Sequence, residues 1–247
     1  MRSWTASLLA AGLACGLALL IASPAAAQPR KLNDFFHTQP GPSANPVVGR
    51  YAVERGPGFV LDRSNSSAPL LKYENRDEVF VLQPRPVGRG DMVFTNDAGE
   101  VVLRATRLGG LIVFTEDRPQ GMAASLRGAA QPIPTEVQMS PGSFIRRIND
   151  IGNRLADLSP NFKKISFNSD DSAVAMLAEA ASLTLQAVQT AVKRKKTRTI
   201  DTFERLVLRD GPAPSVVYDG GVLTITVTPG LGVAGRPSSE KIARALR

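Results

Sequence analysis

The chain has 247 residues, of which 43% are hydrophobic, 21% charged and 6% aromatic, and 30 Lys and Arg against 22 Asp and Glu give a net charge of +8. These are ordinary globular values, and the basic excess favours anionic partners. Cys15 is the only cysteine and His37 the only histidine. Histidine-dependent triads and zinc sites built from several histidines or cysteines are therefore excluded.

The first 27 residues have the pattern of a secretory signal peptide. Arg2 gives a positive start, an apolar run follows from Leu8 to Ile21, and Ala25 to Ala27 supply small residues at the cleavage site. The run is shorter than the roughly 20 residues of a membrane span. We therefore expect an exported protein, periplasmic or extracellular, with residues 1–27 removed and no integral membrane segment after processing. Lipoprotein cleavage before Cys15 is disfavoured, because the apolar run continues past it.

Residues 28–49 are rich in proline and predict a flexible tether. From residue 50 to residue 115, short apolar runs separated by turn signals predict a meander of antiparallel strands. The strongest hairpin signals are the loop from Asn96 to Gly99 and the Gly109-Gly110 turn. Residues 118–140, with three prolines and several small residues, predict a connector that either holds a short strand at 136–139 or marks a domain boundary.

Apolar residues recur every three or four positions from Phe144 to Leu158, which predicts an amphipathic helix over 144–158. Ser140 is the predicted N-cap, and Pro141 the predicted first helical residue. A second, alanine-rich helix is predicted over 170–196, with Ser169 or Asp170 as its N-cap.

Strands return over residues 203–228, where Asp219-Gly220-Gly221 predicts a hairpin. Residues 236–247 predict a short C-terminal helix with Ser239 as its N-cap. The predicted fold class is α+β, with residues 50–235 forming one domain. In it an antiparallel β-sheet meander, extended by the C-terminal β-hairpin, is covered on one face by two packed α-helices.

Three pairs of carboxylates are candidates for calcium binding or acid–base chemistry, but each lies at a turn or helix start where it has a local structural role. The pairs are Asp77 with Glu78, Asp97 with Glu100, and Asp170 with Asp171. A serine–lysine hydrolase is a weak alternative, because Lys163 and Lys164 do not fall at the Ser-x-x-Lys spacing. The sequence thus predicts no catalytic, cofactor-binding or metal-binding residue, and no cofactor.

One concentrated cluster of positive charge is the predicted site for an anionic surface. It consists of Lys193, Arg194, Lys195, Lys196 and Arg198. The candidate partners are anionic lipid, peptidoglycan and lipopolysaccharide. Nucleic acid is not expected, since no aromatic residue lies among these charges. A solvated helix end, in which the cations complement the helix dipole, is the alternative interpretation.

The stretch from Lys72-Tyr73-Glu74 through Asn96-Asp97-Ala98-Gly99 to Phe114-Thr115 resembles an uncharacterised family of exported bacterial proteins, known only as a domain of unknown function. The resemblance implies no activity and no functional residues. It does imply that residues 50–230 work as one unit.

The predicted function is a non-catalytic cell-envelope binding or scaffolding protein that contacts an anionic surface. The alternative is a carboxylate-based periplasmic hydrolase or transferase. An enzyme of that kind gathers carboxylates from distant segments around one cleft, whereas a binding protein of the predicted kind has a basic surface and no such cleft. Three or more carboxylates around one cleft would therefore count against the binding function.

Overall fold

A computed structural model describes residues 46–64, 68–135, 138–168, 171–195 and 198–247, all within one structural unit, Pro40–Arg247. The predicted signal peptide and residues 28–45 of the predicted tether lie outside the described residues. So do the predicted caps Ser169 and Asp170, Lys196 of the basic cluster, and half of the short strand predicted at 136–139.

The first half of the described chain forms a nine-stranded sheet in which all neighbouring strands are antiparallel. Its order is β4-β3-β2-β1-β9-β8-β7-β6-β5. The strands are β1 Gly49–Val53, β2 Phe59–Asp62, β3 Leu70–Tyr73, β4 Val79–Val81, β5 Gln83–Val87, β6 Asp91–Thr95, β7 Val101–Ala105, β8 Leu111–Thr115 and β9 Arg118–Gly128.

The two edges of this sheet are consecutive in sequence, because only Leu82 separates β4 from β5. The sheet therefore nearly closes on itself. Two prolines explain why β5 remains an edge. Pro84 and Pro86 lie opposite Phe94 and Met92 of β6, and a residue without an N–H group occupies only the positions that do not donate to the neighbouring strand. The missing donors therefore belong to the open side of β5.

The predicted connector over residues 118–140 is wrong in its first half, because β9 runs there and pairs with both β1 and β8. Small residues are needed in this strand. A Cβ atom on Gly121, whose φ is +82°, would lie 2.5 Å from Cγ2 of Ile112 on β8. Pro119 falls at the beginning of the strand, where proline is tolerated. Features typical of a loop thus reflect close packing between neighbouring strands.

Strand alternation places the turns of this sheet at two ends. The turns 54–58, 74–78, 96–100 and 116–117 lie together at one end, which we call the four-turn end. The turns 88–90 and 106–110 lie at the other, which we call the Leu108 end after the residue at the tip of the second turn.

The predicted hairpins of this sheet are confirmed. Oδ1 of Asn96 accepts hydrogen bonds from the backbone N–H groups of Ala98 and Glu100, at 3.1 and 2.9 Å. Gly99 has a φ of +79° and Gly109 a φ of +86°, the left-handed conformation that favours glycine. Local turn chemistry therefore determines these connections.

The C-terminal strands do not extend the first sheet, which corrects the prediction. They form a second sheet of order β10-β11-β13-β12, in which β10 with β11 and β11 with β13 are parallel. The strands are β10 Lys164–Asn168, β11 Arg205–Asp210, β12 Ser215–Asp219 and β13 Val222–Val227. Parallel neighbours require a crossover connection, and the predicted second helix supplies it between β10 and β11. The predicted hairpin of β12 and β13 is confirmed.

Three helices accompany the second sheet: α1 Pro141–Leu158, α2 Val174–Lys193 and α3 Ser239–Ala245. The start of α1 is as predicted, since the Ser140 hydroxyl accepts a hydrogen bond from the N–H group of Ser143. Helix α2 is shorter than predicted and follows a 3₁₀ turn. The N-cap of α3 is Ser238, not Ser239.

The two sheets have separate hydrophobic cores. Phe59, Phe94 and Leu103 are buried within the first sheet, whereas Leu155 and Leu177 of the helices pack on the second. The helices thus cover the second sheet, and the prediction that they cover the first is wrong. None of the helices in the described ranges is long and apolar enough to cross a membrane.

Candidate functional site

A pocket of about 490 Å³ opens at the four-turn end of the first sheet. Each of the four turns contributes to it, through Pro57, Arg76, Asn96 with Glu100, and Glu116. The pocket lies where these turns converge, and α3 adds Glu240. Its volume is that of a typical small-molecule site.

The walls of the pocket are mainly apolar and aromatic. Tyr73 packs edge-to-face against Phe80, with ring centroids 5.9 Å apart, so the wall continues into the core of the sheet. Burial raises the pKa of Tyr73 to about 12, and its phenol is neutral at physiological pH. The other apolar lining residues are Pro57, Val93, Val101, Val102, Phe114 and Pro119.

Arg76 brings positive charge to this apolar surface. Its guanidinium carbon lies 5.8 Å from the centroid of the Tyr73 ring, a cation–π distance. Its Nη1 atom lies 3.5 Å from Oε1 of Glu240. Glu240 therefore forms an ion pair with Arg76 only when it is ionised, although Arg76 also attracts the Glu78 carboxylate and lowers its pKa.

Glu240 belongs to a buried chain of polar groups. The hydroxyl oxygen of Ser239 lies 2.5 Å from Oε2 of Glu78 and 3.1 Å from Oε2 of Glu240. A hydroxyl group has one hydrogen to donate, so it cannot satisfy two ionised carboxylates. The backbone N–H of Ser239 also donates to Glu78, at 2.8 Å. Glu78 is thus the better stabilised carboxylate and carries the negative charge.

Glu240 accordingly holds a proton. Burial, together with the charge of Glu78, raises the pKa of Glu240 to about 8. Burial also raises the pKa of Glu78, although its hydrogen bonds from Ser239 oppose this. At neutral pH the protonated Glu240 donates to Ser239, which donates to Glu78. Among the described residues, the ion-pair partner of Arg76 is therefore a neutral acid.

Long-range hydrogen bonds hold α3 across the pocket. The carboxylate of Asp97, in the turn between β6 and β7, accepts hydrogen bonds from both the N–H and the hydroxyl group of Ser238. Arg236 is buried, and it donates to Glu179 of α2 at 2.8 Å and to the carbonyl oxygen of Val79 at 3.3 Å. The pocket is therefore built on a rigid frame.

Glu100, Glu116 and Glu240 line one pocket, the gathering of carboxylates from distant segments that the sequence associates with an enzyme. Two of them are engaged by arginines. Glu100 lies 3.2 Å from Arg244, and Glu116 contacts both Arg194 and Arg247. These ion pairs attach the C-terminal residues and the end of α2 to the rim of the pocket.

The predicted basic cluster lies at the end of α2, and one of its members, Arg194, is ion-paired. Lys193, Lys195 and Arg198 are exposed, whereas Arg194 is half-buried and turns back to Glu116 and Asp117. Lys195 has a φ of +55°, the left-handed conformation in which helices commonly end. The structure does not describe Lys196.

The sequence assigned no site to the pocket residues, although Glu100 belongs to one of the candidate carboxylate pairs. Asp97 and Glu78 were interpreted as local turn residues, but both contact α3, which lies more than a hundred positions away. No spacing in the sequence signals such contacts. Among the residues that the structure describes, no three His, Cys, Asp or Glu side chains form a group that could hold a metal ion.

These features define an α+β protein whose nearly closed antiparallel sheet carries a mainly apolar pocket lined by two arginines, Arg76 and Arg104. The chain belongs to the family described as Domain of unknown function (DUF4908), whose model matches residues 31–246. The predicted resemblance to an uncharacterised family is therefore confirmed, and the match includes both sheets and all three helices. No curated protein and no solved structure matches the chain.

Proposed function

We propose that this is a non-catalytic binding protein of the cell envelope, and that its pocket takes a small amphipathic molecule with an anionic group. The observation that carries this proposal is the position of Arg76. Its guanidinium lies at an apolar pocket beside an acid, Glu240, that is neutral at pH 7. An anionic group of the ligand supplies the negative charge that the neutral Glu240 does not, while the apolar part of the ligand contacts the walls of the pocket.

The frame of the pocket supports binding. Three of its four turns are fixed by hydrogen bonds or ion pairs to α2, α3 or the C-terminal residue, through Glu78, Asp97 and Glu116. A preformed pocket loses little conformational entropy when a ligand enters. Apolar walls with few convergent polar groups are typical of ligand sites.

A carboxylate-based hydrolase or transferase is the second candidate, and Glu240 is the observation that favours it. A carboxylic acid that is protonated at neutral pH is suited to donate a proton to a leaving group. An ionised partner carboxylate is then needed as base or nucleophile. The three carboxylates at one pocket match the expectation for an enzyme and count against binding. Binding remains our first proposal because Glu100 and Glu116 are both ion-paired with arginines.

The proposed location is the periplasm or the extracellular space, with residues 1–27 removed. The N-terminal sequence of the protein recovered from its native cells tests this proposal. A mature chain that begins near Gln28 supports export, and retention of residues 1–27 contradicts it.

Pocket binding is tested with 1-anilinonaphthalene-8-sulfonate, a dye with an apolar ring system and one anionic group. We expect saturable binding, followed by dye fluorescence, to the folded protein. Val101→Trp narrows the pocket and is expected to abolish binding, whereas Val217→Trp on β12 leaves it unchanged. The pair is matched, because Val101 is 41% exposed and Val217 is 55% exposed.

Arg76→Gln tests the anionic contact. Loss of a charge-assisted hydrogen bond, about 1.5–3 kcal/mol, predicts dye binding at least tenfold weaker. Equal binding by the wild type, Val101→Trp and Arg76→Gln would rule out this pocket. Turnover of ester, glycoside or phosphoester substrates that is lost in Glu240→Gln would instead establish the hydrolase.

A further inference from the structure

The Leu108 end of the first sheet carries an unusual concentration of exposed apolar side chains. Five of the ten exposed large apolar residues of the described chain lie there, and Leu108 at the tip of its turn is 82% exposed. The five residues are Val47, Val48, Val87, Leu108 and Leu126. Single exposed apolar residues are normal on a protein surface, but their grouping indicates an interaction site.

These residues follow one rim of the sheet, because the strands that bear them are neighbours. Leu126 of β9 lies next to Gly49 at the start of β1, where a Cβ atom would come within 2.6 Å of Cδ1 of Leu126. The turns 88–90 and 106–110 are also in contact, since a Cβ atom on Gly90 would lie 3.5 Å from that of Arg107. The apolar residues are thus distributed around a single end.

The same end is strongly basic. Four exposed arginines at or near this end make no ion pair within the described parts of the chain. They are Arg85, Arg89, Arg107 and Arg127. The nearby carboxylates are occupied. Asp91 lies 2.6 Å from Arg104 and accepts a hydrogen bond from the Arg107 N–H group, while the buried Asp62 accepts one from the N–H group of Ile133.

Arg89 is held in an unfavourable backbone conformation. Its φ is +67°, and it lies between Gly88 and Gly90. A left-handed conformation is disfavoured for every residue with a side chain, so glycine would be the more stable choice. The described structure contains no hydrogen bond or ion pair of the Arg89 side chain. Backbone strain of this kind is typical of functional positions.

We propose that the Leu108 end docks on an anionic lipid bilayer. The arginines contact the lipid phosphate groups, while Leu108 and the neighbouring valines enter the boundary between headgroups and acyl chains. Basic residues and exposed apolar residues together are the signature of proteins that lie on membranes. An anionic polysaccharide surface would also attract the arginines, but it has no apolar region that could bury Leu108. The exposed leucine therefore favours a bilayer.

The proposal identifies a different surface from the one predicted from the sequence. Arg194 of the predicted cluster contacts Glu116 at the four-turn end, which is opposite the Leu108 end. A flat bilayer cannot contact both ends of the sheet at once. Docking through the Leu108 end is also independent of ligand binding in the pocket.

The test is co-sedimentation of the protein with vesicles of phosphatidylglycerol and phosphatidylcholine, or of phosphatidylcholine alone, at low and high salt. Two triple variants remove equal charge. One is Arg85→Gln/Arg89→Gln/Arg107→Gln near the Leu108 end, and the other is Lys193→Gln/Lys195→Gln/Arg198→Gln at the end of α2. All proteins have the same N-terminal residues, so any contribution from these residues cancels.

We expect salt-sensitive binding to the anionic vesicles alone. At about fivefold per basic residue, the Leu108-end triple variant should bind roughly a hundredfold more weakly, and the α2-end variant should bind like the wild type. Leu108→Trp should show a blue-shifted emission on anionic vesicles that Val217→Trp does not show.

Three outcomes would overturn the proposal. Binding lost only in the α2-end variant would assign the site to the predicted cluster. Equal binding by the wild type and both triple variants would show that the arginines of the Leu108 end do not contribute to binding. Failure of the wild type to bind anionic vesicles, with or without binding to purified cell wall, would exclude a bilayer as the partner.

Discussion

Replacing Glu240 by glutamine tests whether this buried acid is protonated, and therefore neutral, at pH 7. Glutamine keeps the shape of the acid and, like the protonated acid, has a hydrogen to donate to Ser239. Unlike the acid, it cannot ionise. The substitution therefore preserves the hydrogen-bonded chain to Glu78 and removes only the titration.

The size of the effect follows from the pKa of Glu240, which burial raises from 4.5 to about 8. Between these values the folded protein holds a proton that the unfolded chain has released. Stability therefore falls as pH rises, by about 1.4 kcal/mol per pH unit, and becomes constant above pH 8. At pH 7 the accumulated loss is about 3 kcal/mol, and Glu240→Gln should recover most of it.

The assay is unfolding in urea at pH 5, 6, 7 and 8. We expect the wild type to lose stability across this range, and Glu240→Gln to show a much flatter profile and to be the more stable protein at pH 8. Glu54→Gln removes an exposed carboxylate of the turn 54–58 and should keep the wild-type slope. Parallel profiles for the wild type and Glu240→Gln would refute a protonated Glu240.

Three further predictions concern the fold. Gly121→Ala should destabilise the protein by about 2 kcal/mol more than Gly99→Ala, measured in urea, because both glycines have a positive φ but only Gly121 has close neighbours. Ser140→Ala should cost about 1 kcal/mol through loss of the α1 N-cap, seen as a lower melting temperature. Pro84→Val with Pro86→Val restores hydrogen-bond donors at the β5 edge and should promote self-association, measured by sedimentation velocity.

The elements that the sequence predicts correctly are those that depend on near neighbours in the chain. Asn96 forms the hydrogen bonds of its own loop, and Ser140 caps a helix that begins at the next residue. Both patterns depend on contacts within four positions. A single sequence therefore contains all the information needed to recognise them.

Strand pairing was harder to predict, because it depends on which strand becomes the neighbour. In sequence, the small residues of β9 resemble a linker. In the structure they are needed because the side chains of Ile112 and Phe114 on β8 pack closely against Gly121. Likewise, β10 is short and has exposed positions, and only the α2 crossover brings it beside β11. These strands are defined by packing over long sequence separations, which turn signals do not report.

The pocket depends on such long-range contacts throughout. Glu78 and Ser239 are 161 positions apart, and Asp97 and Ser238 are 141 positions apart. In sequence, Glu78 and Asp97 lie at turns where a carboxylate needs no further explanation. Contact with the start of α3 is a tertiary event in both cases. Burial there, together with the charge of Glu78, raises the pKa of Glu240, the ion-pair partner of Arg76.

Basic residues that are close in sequence need not all be available on the surface, and basic residues that are far apart in sequence can lie close together. This chain shows both cases. The basic cluster after residue 192 is dense in sequence, but its half-buried member Arg194 pairs with Glu116. The arginines of the Leu108 end are scattered in sequence between residues 85 and 127. They converge because antiparallel strands bring alternate turns to the same end. The proposed docking surface therefore takes its basic residues from turns and strands that are far apart in sequence, and a search for basic runs does not find such a surface.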